Sequence, residues 1–195
     1  MAAVLMAAPV RIDTSLRRFT VDEYSRMLAA GVLRPDERVE LLDGAIVEMS
    51  PIGPLHAAIV SRLYEILLRR LPPTYQVRAQ QPIRLSLHSE PEPDLAVVIG
   101  RVDYYATAHP TPADVRLVIE VADTTLTFDR GIKLALYATA ALTEVWIVDV
   151  AGQQIEQYTD PDHGQYRSKQ TYGHGQELVL PTTPSIVLSI DAMLG

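Results

Sequence analysis

The chain has 195 residues, 48% of them apolar, which is enough for one domain with a sizeable buried core. It has no cysteine, which excludes disulfides and thiolate metal sites, and no apolar run of about 18 residues, which excludes a membrane-spanning helix. The net charge of −7 is divided unevenly, +1 over residues 1–90 and −8 over residues 91–195, so tight non-specific binding to nucleic acid through charge alone is disfavoured.

The acidic second half reads either as a solvated surface or as carboxylates gathered for a metal. The opening MAAVLMAAPV is apolar but short, and no positive charge precedes it. Residues 1–17 therefore read as a loose tail rather than a signal peptide, residues 18–195 as one domain, and a cytoplasmic location is the default.

In chain order, Thr20-Val-Asp-Glu23 is a capping box that predicts a helix to about Ala30, with Gly31 as its stop. Asp43-Gly44 between two apolar runs predicts a hairpin with strands near Arg38–Leu42 and Ala45–Met49. Next comes an amphipathic helix with Leu55, Ile59, Leu63, Ile66 and Leu67 on one face, ended by Pro72-Pro73. Residues 75–87 alternate like one or two strands, broken near Pro82. Asp94–Ile99 and Val115–Val121 are apolar strands, with a loop and some helix between them. Phe128–Leu142 reads as a helix and Glu144–Val150 as a strand. Ile155–Thr159, Tyr166–Tyr172 and Glu177–Leu180 read as short antiparallel strands. The interspersed order predicts a mixed α/β fold, with a mixed β-sheet flanked by helices and a β-rich C-terminal part.

Four residues stand out chemically. Glu120 sits inside a strand whose neighbours are apolar, and a buried unpaired carboxylate costs several kcal/mol, in rough terms, unless a cation, a metal or a proton compensates it. The alternative is an edge strand with Glu120 in water. Asp94 stands at the entrance of an apolar strand; it either caps its own backbone or lies beside Glu120, and two such carboxylates suit Mg²⁺ or Mn²⁺. Lys133 is one of only two lysines among 17 basic residues. With Asp129 and Tyr137 it follows i, i+4, i+8 spacing, which is either an exposed salt bridge worth a few tenths of a kcal/mol or a compact charge that orients water or stabilises a developing phosphorane. Glu40 in VELLDG is a further acid with apolar neighbours, or a strand-edge glutamate. His56, at a helix start, is a cap or a supporting group. The HExxH, P-loop, GxGxxG and GxSxG patterns are absent.

Glu40 in a hairpin, Asp94 in a Pro-x-Asp before a strand and Glu120 on the next strand resemble the PD-(D/E)XK nuclease pattern. More closely, VELLDGAIVEMSP, PEPDLAVV, LVIEVADTT, FDRGIKLALYA and EVWIVD resemble, in order, the Uma-two family of restriction-endonuclease-like proteins. The resemblance implies a restriction-endonuclease-like core and a metal-dependent nuclease acting on DNA. Asp94 and Glu120 would hold Mg²⁺ or Mn²⁺, and Glu40 would be a further acidic member. The lysine that the general pattern has two residues after the acid is Ala122 here, and Lys133 on the following helix would replace it, oriented by Asp129 and Tyr137. Arg62, Arg69, Arg70, Arg78 and Arg84 would form a basic face for DNA, and nuclease folds of this size imply a homodimer. The alternatives are a catalytically silent nuclease-fold scaffold and an enzyme acting on a small nucleotide.

Overall fold

The computed structural model describes residues 16–34, 36–180 and 186–195. Most of the expected N-terminal tail, residues 1–15, lies outside the described residues.

Helix α1 (Val21–Ala29) begins where the capping box places it: Thr20 accepts from the Glu23 N–H, and the Glu23 side chain accepts from the Thr20 N–H. Strands β1 (Val39–Leu42) and β2 (Ala45–Glu48) form the expected hairpin, with Asp43 and Gly44 both at positive φ. Gly44 is required twice over, because a Cβ there would lie 2.8 Å from the Arg18 Cα. Helix α2 (Pro54–Arg70) ends before the two prolines. It buries Ile59, Val60, Leu63 and Leu67, but Leu55, expected on that face, is 55% exposed and lies outside the core cluster, which this helix enters at Ile59.

The main sheet has six strands in chain order: β3 (Tyr75–Ala79), β4 (Leu95–Ile99), β5 (Val115–Ala122), β6 (Glu144–Asp149), β7 (Gln154–Asp162) and β8 (Gln165–Tyr172). Every neighbouring pair is antiparallel except β5–β6, which is parallel and so needs a crossover. The crossover was expected as one helix over Phe128–Leu142. It is a single turn, α3 (Leu126–Phe128), then a π turn over Asp129–Lys133, then α4 (Leu134–Thr139). The second half of the 75–87 stretch forms no strand, since Pro82 lacks the N–H that a ladder requires, yet Ile83 and Leu85 still bury their side chains. The 102–114 segment is a loop of turns without a helix.

The two faces of the sheet carry separate cores. On one, α2 packs with Leu95, Val97, Leu117, Ile119, Trp146 and Val148, joined by β9 (Glu177–Val179), its partner β10 (Val187–Ser189) and α5 (Ile190–Leu194). On the other, the crossover packs Tyr137 against Ala96, Val118, Ala122 and Ile147. Strands β7 and β8, expected as part of a β-rich C-terminal part, extend the central sheet. Strand β10 and helix α5 escaped the sequence reading because each is only a few residues long. None of the described helices is long and apolar enough to cross a membrane.

Candidate functional site

The hairpin is sewn to the segment that leads into β4. Gly44 donates its N–H to the His88 carbonyl, Asp43 to Ser89 Oγ, and Glu90 to the Leu41 carbonyl. Leu41 then packs with Val21 and Tyr24 of α1, while Glu40, with the opposite orientation on the strand, is buried toward the crossover. Pairing of Leu95 with Ile119 brings Asp94, one residue before β4, level with Glu120 on β5. Asp94 does not cap its own backbone: its Oδ2 accepts from the Val121 N–H at 2.8 Å and lies 3.1 Å from His56 Nε2.

The interspersed elements thus bring Glu40, Asp94, Glu120, Lys133, Asp129 and His56 to the lining of one cavity of about 530 Å³. Lys133 Nζ lies 3.2 Å from Glu40 Oε1 and 3.3 Å from Glu120 Oε1. Tyr137, fully buried behind them, donates its hydroxyl to the same Glu120 Oε1. Asp129 accepts from Thr125 Oγ1 at 2.5 Å. Glu40 has both oxygens engaged, Oε1 by Lys133 and Oε2 by the Glu92 N–H at 3.0 Å, so it holds the ammonium and the Pro-x-Asp segment together.

Neither Glu120 nor Lys133 is at a solvated edge; they are 3% and 6% exposed. The exposed-salt-bridge alternative for Lys133 is therefore excluded. Burial pushes the Glu120 carboxyl up to about 8, with Lys133 opposing the shift and Asp94, Asp129 and Glu40 adding to it. Burial works against the charge of Lys133, but Glu120, then Glu40 and Asp129, outweigh it and push the ammonium up. Burial likewise raises Asp129. The hydrogen bond to Asp94 raises His56, whose Nδ1 is buried without a hydrogen-bond partner among the described residues.

Sequence reasoning missed other lining residues: Arg38, Glu92, Asp123 and the 49–53 loop. Glu92 and Asp123 flank the singled-out acids in PEPD and EVAD, and that adjacency was the available signal. Four of the five arginines proposed as a basic face have other contacts. Arg69 pairs with Glu65, Arg84 pairs with Asp22, and Arg62 binds the Met193 and Leu194 carbonyls. Arg78, opposite Ala96, is on the face of the sheet away from α2, over the Tyr105 ring. The second lysine, Lys169, pairs at 2.5 Å with another buried glutamate, Glu156, outside the cavity.

Whether a cation fits can be judged from the donors. No group of three or more His, Asp or Glu side chains among the described residues is arranged to hold a metal ion. The hydrogen bonds and ion contacts of Asp94 fall on Oδ2 and those of Glu120 on Oε1, which leaves one oxygen of each outside them. Seven carboxylates line the cavity against Arg38, Lys133 and His56. Oxygen donors, excess negative charge and a buried carboxyl whose ionised form is under-compensated suit a hard divalent cation that keeps several waters.

The model of the family Uma2, described as "Putative restriction endonuclease", matches residues 21–191. No curated protein matches the chain. Among solved structures, the chain is similar to one described as "a putative nuclease belonging to DUF820" from Anabaena variabilis, with a TM-score of 0.69 and 15% identity over 90% of this chain and 97% of that one. At that identity the likeness establishes a shared fold.

Proposed function

The chain belongs to the Uma2 family, described as "Putative restriction endonuclease", and we propose that it is a metal-dependent nuclease hydrolysing phosphodiester bonds of DNA. The observation that carries this reading is the pair Asp94 and Glu120, level on neighbouring strands and lining one cavity with Lys133. Asp94 and Glu120 would hold Mg²⁺ or Mn²⁺, which when bound supplies Lewis-acid polarisation of the phosphate. The Lys133 ammonium, fixed by Glu40, faces the charge that develops as water attacks phosphorus. Tyr137 keeps Glu120 in register through its hydroxyl. His56, bound to Asp94 through Nε2, holds that carboxylate in place, and the leaving oxygen takes up through solvent the proton that the attacking water gives up as the P–O bond breaks. Burial of these groups excludes bulk water and strengthens each electrostatic interaction. Two copies related by a two-fold axis would cut two strands.

The test is nicking of supercoiled plasmid in Mg²⁺ or Mn²⁺, with Mn²⁺ binding followed by calorimetry. Asp94→Asn is expected to weaken metal binding strongly and lower cleavage by about 10²-fold or more. Equal metal affinity and equal cleavage in the variant would reject the site. One observation favours a second reading, a catalytically silent scaffold: the Lys133 ammonium is already held between two carboxylates. Mn²⁺ binding without cleavage of any DNA would select it.

A further inference from the structure

A DNA phosphate entering this cavity meets seven carboxylates, and the two other cationic groups in its lining are already engaged. Lys133 is shared between Glu40 and Glu120, and His56 is held by Asp94. Arg38 differs from both. It precedes β1 at the cavity wall, is half-buried, and pairs with no carboxylate within 4.0 Å among the described residues. Its side-chain hydrogen bond runs from one terminal nitrogen to the Ser50 carbonyl, and at 3.3 Å it is long. A guanidinium has five N–H donors in a planar fork that matches a phosphate, so most of its capacity is uncommitted.

Its surroundings fit that use. The Met49 N–H donates to the Arg38 carbonyl, so the backbone of Arg38 is tied to the far strand of the hairpin, which also carries the lining residues Val47, Glu48 and Met49. Several arginines elsewhere are held by carboxylates: Arg17 by Glu23, Arg18 by Asp43, Arg101 by Asp103, Arg130 by Asp149 and Glu156, and Arg167 by Asp162.

We propose that Arg38 is the phosphate-gripping residue of this cavity, which binds a non-reacting phosphate of the DNA strand and offsets the repulsion of the acidic lining. This deepens the nuclease reading and rests on it for the identity of the substrate. Arg38 is a positioning residue; it binds the strand beside the reacting group.

The experiment measures binding of a short fluorescein-labelled single-stranded oligodeoxynucleotide by anisotropy, without metal, across a salt series. Wild type, Arg38→Ala and Arg38→Lys are compared, with thermal unfolding of each. Arg38→Ala is expected to bind several-fold more weakly, with its log–log salt slope shallower by about 0.7, the loss of one phosphate contact on a single strand. Arg38→Lys is expected to restore the slope, because it keeps the charge, but only part of the affinity, because it loses the fork. An unchanged slope and affinity in Arg38→Ala, a slope unchanged while only the unfolding temperature falls, or no binding by the wild type would each overturn the proposal. Failure of the nuclease reading is distinct: it appears as absent cleavage in Mn²⁺ while the binding series still reports on Arg38.

Discussion

Lys133 and Glu144 are both buried, but only Lys133 has opposite charges beside it among the described residues. Lys133 is buried between two glutamates, so Lys133→Met would leave Glu40 and Glu120 facing each other without a cation. We expect a loss of about 3–5 kcal/mol in denaturant unfolding, partly recovered by adding Glu40→Gln; a loss under about 1 kcal/mol would contradict the ion network. Glu144 has no such partner among the described residues. Its Oε1 accepts from Trp146 Nε1 and Gln157 Nε2, while its Oε2 is buried without a hydrogen bond. Burial pushes it up to about 7 from 4.5, with the two hydrogen bonds opposing. Below 4.5 the proton is bound in both folded and unfolded chains. As pH rises through 4.5 toward 7, only the folded chain keeps it, and stability falls by up to about 3 kcal/mol. Glu144→Gln keeps both acceptor contacts and has no such titration. Its stability advantage over wild type should be small at pH 4 and largest above pH 7 (roughly one pH unit to either side of the two pKa values); parallel stability–pH curves would refute this. The rarity of lysine also has a physical meaning here. Both lysines sit against buried glutamates, Lys133 in the cavity and Lys169 outside it, so rarity marks a buried carboxylate partner in each case.

At the scale of elements, the crossover decides the site. A π turn is an α-helix with one residue inserted, frequently found at functional sites. Here it carries Lys133 toward Glu40 and Glu120 and Arg130 toward Asp149 and Glu156. Two ion networks therefore depend on one local widening of the helix. Ile132, within the turn, is half exposed and free of such duties. Deleting Ile132 should regularise the helix and turn one network away by about 100° relative to the other. The expected result is a large loss of stability together with loss of any Mn²⁺-dependent nicking. Ile132→Ala, which keeps the chain length, should change stability by less than about 0.5 kcal/mol. Equal behaviour of the two variants would mean that the π turn is incidental.

For the whole molecule, the net charge of −7 and the pairing of most arginines leave no broad basic surface among the described residues, so affinity for DNA rests on the cavity and on any metal it takes. Such binding should be weak and modestly salt-dependent compared with that of a basic DNA-binding domain. The proposed homodimer would double the contact with a two-stranded substrate. Sedimentation at tens of micromolar, about where a weak dimer should form, is expected to give a dimer, and a monomer there would remove it.

Much of this was legible in the linear chain because the signals are local. A capping box fixes α1, Asp-Gly fixes the hairpin turn, and apolar runs mark β4, β5 and β6. Glu40, Asp94, Glu120 and Lys133 were legible as candidates because carboxylates and a lysine among apolar neighbours break the pattern. Their meeting was not legible from periodicity. It depends on strand register, which levels Asp94 with Glu120, on the stitching of the hairpin to the 86–92 segment, and on the π turn, which helical spacing does not reveal. Glu156 and Glu144 were invisible for the same reason: their burial comes from β7 and β8 joining the central sheet. Arg38 reads in sequence as one arginine among fifteen; only the tertiary structure decides which cations already have carboxylate partners and which face an acidic cavity without one.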